Sequence, residues 1–513
     1  MGSVLASLQP ASVWSIFEEI AGVPRPSTKE RKIREWVKGW ARAAGIPFKE
    51  DEAGNILLAK DAAPGCGRFP VLVLQAHMDM VCQSAPGREF DFEKEPIRVK
   101  IEGKTVMADG TTLGADNGIG MAYALALLAE QDMAHGPLEV LLTANEETGF
   151  GGALGLKEGF FTGRYLLNLD SESQGEITIG SAGGGNTEYS LPANLVPVNT
   201  PGNNGFKGIR LSVEGLLSGH SGVQIHLPRL NAIKLVIEGL AQVAGSDGAH
   251  GRSDVHAVRD RGGVHPLLVH SFEGGSARNA IPAQASCVFL VPGERWGDAM
   301  KRLERWKTRV EGEWIEREPK MAIEVSPAGS RPGELSACSE AESGAILALL
   351  DEVPHGPIAF SDELPGLVQT SNNLAVVRSG SGSVNAACLS RSFSDDELGE
   401  LRERLRGIGL KHGARVDQDA PYPGWSEDPS SPFLSLVRSR YGSIVTGEVR
   451  LSAVHAGLEC GLFTKANPGI QIASVGPNIG DAHSPGEWVS IESVGTLWRV
   501  LRGIVEGMGT LEG

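Results

Sequence analysis

Two histidines and a set of carboxylates stand where short apolar runs of this chain end. Gln75-Ala-His77-Met-Asp79 follows Val71-Leu-Val-Leu. A lone histidine there is more often a hydrogen-bonded core or loop residue. Asp79 changes that, because a carboxylate beside a ligating imidazole fixes its tautomer. Leu113-Gly-Ala-Asp116-Asn-Gly-Ile-Gly opens a predicted helix. Asp116 there is either an N-cap or, with two oxygens to offer, a bridge between two cations. Ala144-Asn-Glu146-Glu147 follows Leu138 to Thr143, and Leu167-Asn-Leu-Asp170-Ser-Glu172 ends another apolar run. Of the paired glutamates, one could bind a metal while its neighbour takes a proton from the activated water. A late Asp-Ala-His483-Ser-Pro-Gly-Glu487 again follows a predicted strand.

Each signal has an ordinary reading as a turn, cap or solvated loop. Five residues of metal-ligand type, most just past a strand, fit metal-assisted hydrolysis better. There the ions polarise a carbonyl and activate water. Ligands of open α/β sheets collect beyond the carboxyl ends of the strands, which is where these residues fall. The sequence contains no HExxH, no GxSxG and no GxxxxGK[ST]. Single-zinc proteases of the HExxH design are thereby excluded, and the signals of serine-elbow hydrolases and P-loop enzymes are missing.

The elements that must position these residues are legible. Val13, Ile16, Phe17 and Ile20 recur at helical spacing and stop before Pro24. A second helix is expected from Glu30 to Ala44, with Ser27 as its cap. Strands are expected at Val71–Gln75, Leu138–Thr143, Tyr165–Asn168 and Gly469–Val475. Helices are expected at Asp116–Ala129, Val454–Phe463 and Val489–Met508. Strand-helix-strand order predicts an α/β sandwich on a largely parallel sheet. The middle differs. A strand at Gly208–Val213 and a helix at Asn231–Val243 precede two stretches that each read strand, strand, helix, strand. One runs Leu267–Ile281, Ala285–Val291, Asp298–Trp314, Met321–Val325. The other runs Gly366–Val377, Val384–Leu389, Asp396–Leu410, Ala414–Gln418. They resemble two copies of one unit. The expected organisation is a catalytic α/β domain in two parts, 1–200 and 423–513, with an inserted α+β domain at 201–422.

These words together resemble the metallopeptidase family of aminoacylases, carnosinases and glutamate carboxypeptidases. HMDMVCQ, TTLGADNGIGMA, GHSG, NAIP, VHAGLECGLF and AHSPGEWVSIESV agree in order and spacing with a dipeptidase branch, from about Leu8 to near the C-terminus. The resemblance implies a di-zinc α/β sandwich with an inserted lid, acting on dipeptides and other short peptides, Xaa-His types among them. It implies two zinc ions, with cobalt or manganese compatible with the same donors. His77 and Asp170 would hold one ion, Glu147 and His483 the other, and Asp116 both. Glu146 would be the general base, and Asp79 would orient His77. A cis peptide is implied after Asp116. From the lid, His220 of Gly219-His-Ser-Gly would stabilise the oxyanion. Asn279 of Arg278-Asn-Ala-Ile-Pro would hold substrate, and Arg391 would bind its carboxylate. His455 and Glu459, four apart on the expected helix, are assigned supporting roles. Extra length in stretches such as 334–342 is expected to form lid loops.

Bulk properties agree. The 513 residues are 41% hydrophobic and 21% charged, which suits several folded domains. A net charge of −16 disfavours nucleic acid as a partner. Six scattered cysteines, none in a CxxC pair, suit a reducing compartment. No run of about 20 apolar residues exists to span a membrane, and the start lacks a basic, then apolar, leader. The cytoplasm is the expected location. A monomer with a duplicated lid and a homodimer both remain open. The competing functions are an N-acyl amino acid deacylase using the same metals and a metal-free binding protein on the same fold. A lid-mediated assembly factor finds no sequence feature.

Overall fold

Four short apolar runs form the centre of the first unit. The computed structural model describes residues 3–198, 205–244, 267–328, 336–361, 366–445 and 447–511. Leu72–His77, Leu138–Thr143, Tyr165–Asn168 and Gln471–Ser474 lie parallel, in the order Leu138–Thr143, Leu72–His77, Tyr165–Asn168, Gln471–Ser474. The first three are buried along their whole length, which is why they read as continuous apolar runs without alternation. The sheet as a whole is mixed rather than largely parallel. A hairpin of Phe48–Glu50 and Ile56–Lys60 adds antiparallel strands at one side, and Glu176–Ser181 with Trp425–Ser426 does so at the other. The Phe48–Glu50 and Ile56–Lys60 strands are joined by a short connection and need no crossover helix.

Helix Ala115–Ala129 packs on the Leu72–His77 and Leu138–Thr143 strands, with Ala11–Ala21 against it. Beyond Asp116 and Asn117, helix Ala115–Ala129 is apolar and is buried on nearly every side. The second helix is Arg31–Ala44, and Glu30 rather than Ser27 stands at its N-cap. Ser27 instead donates to the Met80 carbonyl.

Contacts divide the chain into two compact units. One is Met1–Ser181, Trp425–Ala453 and Leu458–Gly513; the other is Ala182–Gly424 with Val454–Gly457. The first junction falls some twenty residues before position 200. The strand Gly183–Ala193 pairs along its length with Gly382–Ser392 and so belongs to the second sheet.

The inserted unit carries an antiparallel sheet with a symmetric order. Its main path runs Ala322–Ala328, Phe206–Glu214, Ala285–Pro292, Leu268–Gly274, Val368–Ser379, Gly382–Ser392, Gly183–Ala193, Arg415–Gln418, with Gly356–Phe360 paired on Val368–Ser379 off that path. Read from either edge the roles are the same: fourth strand, leading strand, second strand, first strand. The halves meet at a single pair, Gly274 with Val377. Trp296–Trp314 and Asp395–Lys411 are the matching helices, and Ala232–Ala244 matches Glu340–Glu352. The repeated strand-strand-helix-strand pattern is therefore matched by spatial symmetry. The leading strands and the Glu340–Glu352 helix complete each copy.

Two expectations need correction. Within 334–342, Ser336–Ala337 is a strand and a helix begins at Glu340, capped by a reciprocal Ser339–Glu342 box; residues 334 and 335 lie outside the described residues. The helix expected over Val454–Phe463 begins only at Cys460, because Arg450–Val454 is a strand. No helix among the described residues is long and apolar enough to cross a membrane.

The joint between the halves depends on Gly275, whose φ is +68° and whose Cβ would stand 1.8 Å from the Ala375 carbonyl oxygen. Gly275→Ala is expected to cost at least about 2 kcal/mol. Gly399→Ala, with open space at an exposed helix position, should stabilise by about 0.5–1 kcal/mol. Thermal unfolding of both variants beside the parent checks the contrast; equal effects would remove Gly275 from the joint.

Candidate metal centre

His77 closes its strand, and its ring meets three acids. Nε2 lies 3.0 Å from Asp116 Oδ1 and 3.4 Å from Asp170 Oδ1, while Nδ1 lies 3.4 Å from Asp79 Oδ1. Asp79 also accepts the backbone N–H groups of Glu146 at 2.9 Å and Glu147 at 3.2 Å. One buried carboxylate thus orients the imidazole and the paired glutamates together. Burial pushes the Asp79 carboxyl up, but the bonds from His77 and the Glu146 N–H outweigh it and bring it down to about 2.

Asp116 uses both oxygens. Oδ1 faces His77, and Oδ2 lies 3.1 Å from His483 Nε2. His483 Nε2 is also 3.1 Å from Glu147 Oε2. Asp116 does not cap its helix: Gly114 is the N-cap residue, and Asp116 is extended at φ −78°, ψ 109°. The peptide Asp116–Asn117 is cis. Asn117 Nδ2 donates to the Leu169 carbonyl at 2.9 Å and to the Asp170 carboxylate.

The capping is done by Glu487. Its Oε2 accepts from Leu113 N (2.8 Å) and Gly114 N (2.9 Å), and its Oε1 from Ala115 N (2.7 Å) and Asp116 N (3.2 Å). Helix N–H groups that would have drawn in Asp116 are satisfied by another acid. Arg25 is buried next to this pair. It donates to the carbonyls of Met78 (3.1 Å), Asp79 (2.8 Å) and Gly114. Burial disfavours its charge, and the fields of Glu487 and Asp79 support it.

A polar chain crosses the strand ends. Ser474 Oγ donates to Asn168, Asn168 to Gln75, and Gln75 Nε2 to Thr143 Oγ1 at 3.1 Å and to Glu459 at 2.8 Å; Thr143 Oγ1 also donates to Glu459, at 2.7 Å. Glu459 therefore has a supporting role in the first unit. His455 leaves it for the inserted unit, where Nε2 contacts Ser371 Oγ at 2.8 Å. The two do not share a helix face.

The donor set fits divalent cations. His77–Asp116–Asp170, His77–Glu146–Glu147 and Asp116–Glu147–His483 each bring ligand atoms within 4.8 Å of one another. Glu147 Oε1 is buried without a hydrogen-bond partner. Burial, aided by neighbouring carboxylates and opposed by His77, raises Asp170 to about 6 and carries Glu146 well above the usual carboxylate range. Burial, with Asp116 and Asp170, raises Glu172 to about 8. His483 is held up at about 11 by the carboxylates of Asp116 and Glu147. A place that holds a proton so tightly between acids is a place for positive charge.

Within the inserted unit a second cluster forms. Ser221 N donates to the Asn279 carbonyl (2.8 Å) and Ile281 N to the Gly219 carbonyl (2.8 Å), zipping the His220 and Asn279 loops together. His220 Nδ1 accepts from Gly222 N at 3.2 Å and Val223 N at 3.1 Å, which leaves Nε2 as the donor nitrogen. A Cβ on Gly222 would lie 2.3 Å from the His455 carbonyl oxygen, 3.0 Å from the His220 ring and 3.2 Å from Arg391 Nε, so these three groups converge on it. Arg391 is 5% exposed and donates to Tyr422 Oη at 2.9 Å. Its Nε has no partner, and no acid among the described residues pairs with it. Arg278 is exposed and ion-paired with Glu188. His135 and Cys82 take local roles, bonded to the Gly136 and Met80 carbonyls. All six cysteines are free thiols.

The sequence reading brought together His77, Asp79, Asp116, Glu146, Glu147, Asp170 and His483, and separately His220, Asn279 and Arg391. It missed Arg25, Glu487, Gln75 and Thr143. Glu487 had a faint signal, an acid four residues after His483. Arg25, between two prolines, had none.

Imidazoles and carboxylates at the ends of parallel strands, one carboxylate shared between two imidazoles and a further glutamate beside them, define a metal-dependent hydrolase. Residues 73–507 match the model of peptidase family M20/M25/M40, and the chain belongs to that family of metallopeptidases. It is 38% identical over 499 residues to the cytosol non-specific dipeptidase of Escherichia coli (strain K12), covering 97% of this chain and 98% of that one. The crystal structure of aminoacylhistidine dipeptidase from Vibrio alginolyticus is similar at a TM-score of 0.80 and 34% identity, covering 98% and 97% of the two chains. A tripeptidase from Staphylococcus aureus, 14% identical at a TM-score of 0.54 over 98% of this chain and 100% of its own, shares the fold.

Removing Arg25 would leave the carbonyls of Met78, Asp79 and Gly114 without their buried donor. Arg25→Met is expected to cost about 3–5 kcal/mol, the scale of two or three buried acceptors left unsatisfied. Denaturant unfolding of the metal-free chain measures it, and a change below about 1 kcal/mol would mean these carbonyls are satisfied without Arg25.

Proposed function

We propose that the chain is a dipeptidase that hydrolyses the peptide bond of short substrates with free termini, Xaa-His dipeptides among them, using two zinc ions. The observation that carries this reading is Asp116, placed with one oxygen toward His77 and the other toward His483, with Glu146 in an adjoining donor set. His77 and Asp170 would hold one ion, Glu147 and His483 the other, and Asp116 would serve both. Zinc bound there would acidify a water and polarise the scissile carbonyl.

The chain's own residues do the rest. Glu146 takes the proton of the attacking water and delivers it to the leaving amine. Asp79 fixes the tautomer of His77 and the backbone of the glutamate pair. His220, with Nδ1 occupied by backbone N–H groups, donates from Nε2 to the developing oxyanion. Arg391, buried without an acid, takes the substrate carboxylate, and Asn279 holds the substrate backbone. The names of the two similar dipeptidases support the substrate class, and the cytosolic one supports a cytoplasmic location.

The test is metal content with hydrolysis of a panel that includes Gly-His, β-Ala-His and their N-acetylated forms, before and after chelation. About two zinc ions per chain are expected, with free-amine dipeptides cleaved, activity lost to chelator and restored by zinc. A zinc-loaded chain that cleaves only the N-acyl forms would replace this reading with a deacylase. Glu146→Gln should keep its zinc and lose at least about a hundredfold in turnover; near-normal turnover would remove it as the base. Arg391→Met should lower kcat/KM for dipeptides by about 10- to 100-fold, as expected for a charge-assisted bond. It should leave C-terminally amidated analogues little changed. Equal losses on both would dissociate Arg391 from the carboxylate.

A further inference from the structure

We infer that Glu487 sets the metal affinity of this site by latching the segment that carries His483 onto the segment that carries Asp116. The inference rests on the two-metal reading above. Glu487 touches no donor side chain, so it is a positioning residue.

The geometry isolates its task. Residues 481–487 form the loop of a hairpin whose stem pairs Ile479–Gly480 with Trp488–Ser490, and Trp488–Ser490 pairs in turn with Thr105–Ala108. The stem is held by strand pairing, which the tip lacks. Asp481 and His483 both hold left-handed backbone, at φ 53° and 62°, which side-chain-bearing residues seldom adopt. The bonds inside the loop are short-range ones: Ser484 Oγ to the Asp481 carbonyl, Gly486 N to Ser484 Oγ, and Glu487 N to the Ser484 carbonyl. The His483 side chain is 51% exposed, against 1% for His77, so packing does not hold its ring as it holds the other imidazole.

What ties this loop to the opposite donor is the Glu487 carboxylate, with four N–H bonds from Leu113 to Asp116. The last of these is the backbone of Asp116 itself. One carboxylate therefore does two things. It occupies the N–H groups that would otherwise attract Asp116, and it fixes where His483 stands relative to Asp116 Oδ2. Arg25, bonded to the carbonyls of Gly114 and of the two residues after His77, ties the same segment to the end of the His77 strand.

A cap that merely stabilised the helix would change folding without changing metal binding by the folded chain. The experiment is cobalt titration of the metal-free full-length protein, followed by visible absorption, with zinc affinities from chelator competition. Glu487→Gln is expected to bind one equivalent as the parent does. Its second equivalent should bind about 10- to 100-fold more weakly, the usual loss when a group that orients a ligand is removed. Glu487→Asp, charged but one methylene shorter, should fall between them; it also serves if Glu487→Gln does not fold. His483→Ala is the reference and should lose the second equivalent outright. If His483→Ala still binds two ions as the parent does, His483 is not a ligand and the metal assignment on which the inference rests fails. If His483→Ala loses one while both Glu487 variants keep parental affinity for two, the latch is overturned. Equal weakening of both equivalents would mean that Glu487 acts on the whole site and not on His483, and would also overturn it.

Discussion

Concentrated negative charge is the constraint from which the first unit is organised. Asp79, Asp116, Glu146, Glu147, Asp170 and Glu459 gather at the ends of four buried strands, with His77 and His483 among them. Like charges this close and this dry do not all remain ionised without cations. The fold answers in two ways. Some acids are neutralised by structure: Asp79 by two backbone N–H groups and His77, and Glu487 by four N–H groups and the nearby Arg25. The others, Asp116, Glu146, Glu147 and Asp170, face the imidazoles and each other, with only the Asn117 amide donating to Asp170 among the side chains described above. That division separates the acids that build the site from those that must be matched by metal.

The parallel strands make the division possible. Register places His77 opposite Thr143, and Gln75 opposite Leu141 on one side and Asn168 on the other. Chain leaving these neighbours in the same direction carries Asp79, Glu146 and Asp170 past one edge of the sheet. Beneath them, the amides and hydroxyls of Gln75, Asn168, Thr143 and Ser474 form a polar layer that ends on Glu459. This layer is the transition between an apolar sheet interior and a charged surface cluster, and each member satisfies its neighbour.

Much of this could be read from the amino acids, for a definite reason. A strand buried on both faces is a continuous apolar run, so Leu138–Thr143 and Tyr165–Asn168 were legible to the residue, and donors just beyond them were conspicuous. Residues that act through backbone groups were not. Glu487 bonds N–H groups over 370 positions away in the chain, and no side-chain pattern marks an N–H as an acceptor's target. Asp116 looked like a cap for the same reason: the sequence shows an acid at a helix start but not the competing acid that takes the cap. The expected helix through His455 failed because apolar residues near Val454 serve a strand, and a short run has no periodicity to tell the two apart. Domain edges were displaced because the leading strand of the second half, Gly183–Ala193, precedes the first half in the chain.

That displaced strand has a consequence for how the inserted unit acquired its present form. Its two halves have one architecture, yet the cluster around Gly222 draws His220 and Asn279 from one half and Arg391 and Ser371 from the other. In an assembly of two identical chains every residue occurs twice, and a change that helps one copy is imposed on the other. Two halves on a single chain are free of that bond. Each can keep only what it contributes and lose what its counterpart supplies. An asymmetric cluster on a symmetric sheet is what such divergence leaves behind.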